Sequence, residues 1–105
     1  MEEIKLNIKV VKAQTFWQRF IGLMFKKNIK YSVLFKNCKS VHTFFMCFNL
    51  DVIFLDRDNR VIKIVKQLKP FRIVLPVKNA VSIIEIPSNT IENVNSIIGK
   101  KLIDF

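Results

Sequence analysis

From Glu3 to Val11 apolar and polar residues alternate without a break. Ile4, Leu6, Ile8 and Val10 fall on one side of an extended chain, and Glu3, Lys5, Asn7 and Lys9 on the other. A period of two is the mark of a half-buried β-strand. Short runs of the same kind follow. Tyr31 to Lys36 carries Tyr31, Val33 and Phe35 on one face, and Val41 to Phe48 sets Val41, Thr43, Phe45 and Cys47 against His42, Phe44, Met46 and Phe48. Leu50 to Leu55 and Val61 to Gln67 flank Asp56-Arg57-Asp58-Asn59-Arg60, whose turn formers make a hairpin the natural connection. Val81 to Ile86 is a further strand, stopped by Pro87, and Lys101 to Phe105 a short terminal one after Gly99. Pro70 and Pro76 bracket Phe71 to Leu75 as a loop or edge strand.

One segment departs from this period. Thr15 and Gln18 have capping-box spacing, and Phe16, Trp17, Phe20, Leu23 and Met24 recur at helical intervals, with Gly22 near the end. The expected fold is therefore mainly β: a compact sandwich or partly closed barrel of six to seven short strands, with one short helix near residues 16–24. Ser88 to Ile98 supplies at most one helical turn. Strand and helix do not alternate, which excludes a doubly wound parallel sheet. The 105 residues make one domain, 1–105, able to bury a core unaided, and its ten Phe point to an aromatic-rich interior.

Charge is the loudest compositional signal. Eighteen Lys and Arg stand against eight Asp and Glu, for a net +10. No carboxylate lies between Glu3 and Asp51, nor between Asn59 and Ile84. Such a surface attracts polyanions, and Lys26, Lys27, Lys30, Lys63, Lys66 and Lys69 are the residues expected to do so. Against nucleic acid as the designed partner stands the lack of an Arg cluster with interleaved aromatics. The most apolar run, Val41 to Leu55, contains His42 and Asp51 and is too short and too polar to span a bilayer. With no basic n-region and apolar h-region at the start, a cytoplasmic protein with reduced Cys38 and Cys47 is expected.

Two carboxylates interrupt apolar strands. Alternation puts Asp51 on the face of Ile53 and Leu55, where it must be paired or hydrogen-bonded. Arg19 is the attractive partner, as the only guanidinium in the first half of the chain. The other reading has Asp51 capping a strand entry or facing solvent. Glu85, in Ile83-Ile84-Glu85-Ile86-Pro87, repeats the pattern. Cys38, His42 and Cys47 match no structural zinc spacing, and no nucleophile elbow or phosphate loop is present, so no metal, cofactor or catalytic residue is assigned.

Arg19-Phe20-Ile21-Gly22-Leu23-Met24, followed by His42-Thr43-Phe44-Phe45-Met46 and Asp51-Val52-Ile53-Phe54-Leu55-Asp56, resembles the family called domain of unknown function 192. Glu85-Ile86-Pro87 and Ile98-Gly99-Lys100-Lys101-Leu102 are similar to its later segments, so the resemblance covers nearly the whole chain. It implies a small β-rich domain with a helix packed on one side. The family's recurrent residues fall on Arg19, Gly22, Met24, His42, Thr43, Met46, Asp51 and Glu85, a mixture suited to lining a cleft. Ser88-Asn89 departs from the pattern, which has a small residue and Gly there.

The function expected from these features is a non-enzymatic binding module. A polar cleft of Arg19, His42, Thr43, Met46, Asp51 and Glu85 would hold a small ligand or a protein segment. The alternative is weak, salt-sensitive nucleic-acid binding through the lysines.

Overall fold

In a computed structural model of the chain, the structure describes residues 2–6, 8–13, 31–42, 49–88, 90–91 and 93–104. Among them are nine strands: β1 (Glu3–Ile4), β2 (Val10–Ala13), β3 (Ser32–Lys36), β4 (Val41–His42), β5 (Leu50–Leu55), β6 (Val61–Leu68), β7 (Ile73–Val74), β8 (Ser82–Pro87) and β9 (Lys101–Leu102). A single 3-10 turn, Val94–Ser96, is the helical element of the described residues, with the Asn93 side chain accepting from the Asn95 amide. The helix expected at 16–24 lies outside the described residues, as do residues 43–48 of the strand expected from Val41 to Phe48.

Five strands form one sheet in the order β2-β3-β8-β5-β6, while β1-β9 and β4-β7 are two-stranded ribbons. β2 runs parallel to β3, and the other neighbours in the large sheet are antiparallel. The fold is mainly β as expected, and the large sheet is open: among the described residues no pairing joins its edges β2 and β6, so these strands do not close into a barrel. Instead, the β1-β9 end of the chain and the loops cover its two faces.

That double cover explains the sequence of the central strands. All six residues of β5 and the first five of β8 are buried, which is why both read as near-continuous apolar runs. One face carries Val33, Phe35, Leu50, Val52, Phe54 and Ile83, packed by Tyr31, Val65, Val74 and Val77. The other carries Leu34, Ile53, Leu55, Ile84 and Ile86 beneath Ile4, Leu6, Ile8, Val10 and Leu102. The inward side of the opening segment is thus as alternation predicts. The single strand expected from Glu3 to Val11 is nevertheless two, because β1 pairs with β9 whereas β2 pairs with β3.

The β5–β6 hairpin forms where expected. Asp56 Oδ1 accepts from the backbone amides of Asp58 and Arg60, both at 2.9 Å, and Asn59 takes a left-handed φ of 62°. Asn and Asp tolerate this geometry because their side chains satisfy local backbone donors. Asp56→Ala removes both acceptors and is expected to cost about 1 kcal/mol in urea unfolding. An unchanged midpoint would show that water replaces them freely.

Candidate functional site

Asp51 has no solvent exposure. The opposing strand explains how it is accommodated. Between the pairs Leu50↔Leu68 and Val52↔Val65 the β5–β6 register slips by one residue, so Lys66 and Gln67 together oppose Asp51. Gln67 takes φ 53°, the left-handed conformation of a β-bulge, which turns its N–H away from the ladder. Asp51 Oδ1 accepts that N–H at 2.8 Å. Oδ2 lies 3.3 Å from the Lys66 ammonium, which also donates to the Ile91 carbonyl. The carboxylate therefore clamps a bulge and, through Lys66, ties the edge strand to the 90–91 segment. Asp51 does not face solvent, and among the described residues Lys66 and the Gln67 amide engage it. Arg19 lies outside the described residues.

Glu85 is 7% exposed and sits opposite Val33 on one side and Val52 on the other. Among the described residues no hydrogen bond or ion pair reaches its carboxyl. Burial pushes its pKa up to about 8, so the side chain is mostly a neutral acid at pH 7. In that form it offers one O–H donor together with acceptor capacity.

The two carboxylates do not meet. Directly opposed residues of an antiparallel pair share a face, and β5 opposes β8 as Asp51↔Ile86 and Val52↔Glu85. Asp51 therefore points to the Ile53/Ile84 side and Glu85 to the Val52/Phe54 side. A single cleft cannot use both, and an acid–base pair between them is excluded by the sheet itself. The expected face of Asp51 is correct; its grouping with Glu85 is not, because neighbouring strands fixed the relative parity.

His42 opposes Ile73 in the β4–β7 ribbon. Thr43 and Met46 lie outside the described residues, as do Lys26, Lys27 and Lys30. Of the remaining candidate polyanion lysines, Lys63 and Lys69 are exposed, while Lys66 is engaged with Asp51. Cys38 is a free thiol whose Sγ donates to the Ser40 carbonyl. Among the described residues no group of three His, Cys, Asp or Glu could hold a metal, and no helix is long and apolar enough to cross a membrane.

A family model described as "Uncharacterized ACR", the domain of unknown function 192, matches residues 1–103. The chain belongs to this family. Its relatives include a UPF0127 protein of Thermococcus sibiricus, 38% identical over 86% of this chain and 62% of that protein. Another is a UPF0127 protein of Pyrococcus horikoshii, 41% identical over 86% of this chain and 82% of that one. The chain thus spans about three fifths of the first relative's length and most of the second's. Its fold is similar to that of a protein of unknown function from Novosphingobium aromaticivorans, with a TM-score of 0.66 and 23% identity over 76% of this chain and 63% of that one. It is also similar to a candidate transcription regulator from Sinorhizobium meliloti, with a TM-score of 0.70 and 19% identity over 82% and 73%. At those identities the likeness is one of fold alone.

Proposed function

We propose that this member of the family is a non-enzymatic binding module of the cytoplasm. Its ligand contact would be the neutral carboxyl of Glu85 on the β3–β8–β5 face. The observation that carries the reading is a buried carboxyl, set between Val33 and Val52, that no group among the described residues engages. Desolvation of the carboxyl costs free energy that an apolar residue at the same position would avoid. A ligand that hydrogen-bonds to the neutral acid would recover that cost on binding. The chemistry suits an amide or hydroxyl of a small molecule or peptide segment, with Arg19, His42, Thr43 and Met46 as the further contacts of the cleft. Asp51 takes no part in it. The cytoplasm suits a free thiol such as Cys38.

The test is a titration of carboxyl-labelled protein with small amides, polyols and tripeptides, following the Glu85 carboxyl carbon by NMR. A saturable shift in the wild type, with binding retained in Glu85→Gln and lost in Glu85→Leu, supports the reading. If the resonance stays unmoved by every probe at millimolar concentration, or Glu85→Leu binds as the wild type does, the reading fails.

A further inference from the structure

On the opposite side of the sheet from Glu85, a groove of about 330 Å³ opens where β9 crosses the end of the large sheet. The strand register brings its lining together. Lys12 in β2 lies beside Leu34 of β3, and Lys36, two residues further along β3, opposes Ser82 of β8. Lys101 enters from β9, and the chain on either side closes the rim. Asn59 accepts the Leu102 amide through its backbone carbonyl at 2.9 Å, and Asp104 follows with a left-handed φ of 58°. Leu34 and Leu102 form an apolar floor, both about 1% exposed.

Lys12, Lys36 and Lys101 therefore line one concavity, with Asp104 as the carboxylate among its described lining residues. Residues remote in sequence are placed there by three separate strand pairings, which distinguishes the groove from lysines scattered over a basic surface. Ser82 brings a hydroxyl and Asn59 a carboxamide, both able to donate to an anion's oxygens. We propose that this groove binds a phosphate dianion, free or as the monoester of a small molecule. The lysines supply charge-assisted hydrogen bonds to the phosphate oxygens. The lining is confined to one half-open groove at the ends of the strands. A nucleic-acid backbone would instead call for a track of cations along a surface.

The inference is tested by amide NMR titration of the full chain with inorganic phosphate and with ribose 5-phosphate. Ionic strength is held constant near 150 mM, where exposed charges beyond about 8 Å are screened. Saturable shifts are expected at Asn59, Ser82, Lys101 and Asp104. Lys12→Met with Lys101→Met should weaken binding by at least about tenfold, the scale of a lost charge-assisted hydrogen bond. Lys63→Met, outside the groove, should leave it unchanged, while Asp104→Asn should strengthen binding severalfold by removing a repulsive charge. Non-saturating shifts spread over all lysines would mean adventitious ionic binding only and overturn the proposal, as would weaker binding by Asp104→Asn. A single-stranded oligonucleotide that binds far more tightly than either probe, with shifts extending beyond the groove, would make nucleic acid the occupant instead.

Discussion

Replacing Asp51 by Ala is expected to lower stability by about 2–3 kcal/mol, the scale of two hydrogen bonds to a buried carboxylate whose cationic partner Lys66 is 32% exposed. Two losses add. The Gln67 amide loses the acceptor held at 2.8 Å, and the Lys66 ammonium loses its carboxylate at 3.3 Å. The bulge itself is also put at risk, because its left-handed residue is held in place by that amide contact. A domain of this size has about 5–15 kcal/mol in total, so the loss is a substantial fraction of it. Asp51→Asn separates the two effects. It keeps an oxygen for Gln67 but gives up the charge, and should fall between the wild type and Asp51→Ala in urea midpoint. A midpoint for Asp51→Ala within half a kcal/mol of the wild type would mean that the clamp contributes nothing to the fold.

The second large effect concerns pH. In the unfolded chain Glu85 ionises near 4.5, whereas in the folded protein burial holds it protonated up to about 8. Below 4.5 both states carry the proton, and the site is neutral with respect to stability. As pH rises from 4.5 the unfolded state releases its proton and the folded state does not, so stability falls. The slope is on the order of 1 kcal/mol per pH unit until the folded group also ionises near pH 8, where the loss levels off. Glu85→Gln keeps a neutral side chain of the same shape and removes the titration. Its stability should match the wild type at pH 4.5 and exceed it by a few kcal/mol at pH 8. Subtracting the two urea-derived curves cancels His42 and the other groups common to both proteins. A flat difference curve between pH 4.5 and 8 would show that Glu85 ionises normally and is solvated.

Much of the architecture was legible in the residues. The period of two predicted the inward faces of Ile4, Leu6, Ile8 and Val10, of Val33 and Phe35, and of Ile53 and Leu55, and the structure packs each as expected. The Asp56–Arg60 turn was legible as well, since Asp and Asn mark a hairpin through their own backbone hydrogen bonds. Less visible was the break in the opening segment. Alternation reports which side of a strand is buried, and it is indifferent to which neighbour supplies the hydrogen bonds.

The candidate site divides along the same line. That Asp51 and Glu85 were anomalous could be read from the sequence, because a carboxylate inside an apolar run must find a partner or stay neutral. The structure shows one of each outcome. Asp51 found a partner in Lys66, a residue that looked like solvent-facing charge until the bulge turned it toward β5. Glu85 found none among the described residues and takes the neutral form. The bulge left no mark in composition: Lys66-Gln67 reads as ordinary polar surface, and only the one-residue slip in register reveals it.

By itself, then, the chain determined its β-rich class, the polarity of each strand's two faces and the presence of two carboxylates that need an explanation. These are properties of a residue and its near neighbours, carried by side-chain period and local turn chemistry. The tertiary structure decided which strand lies beside which. That choice sent Asp51 and Glu85 to opposite faces, and it gathered Lys12, Lys36 and Lys101 around one groove. Both outcomes depend on register between segments distant along the chain, and a shift of one residue would reverse every face.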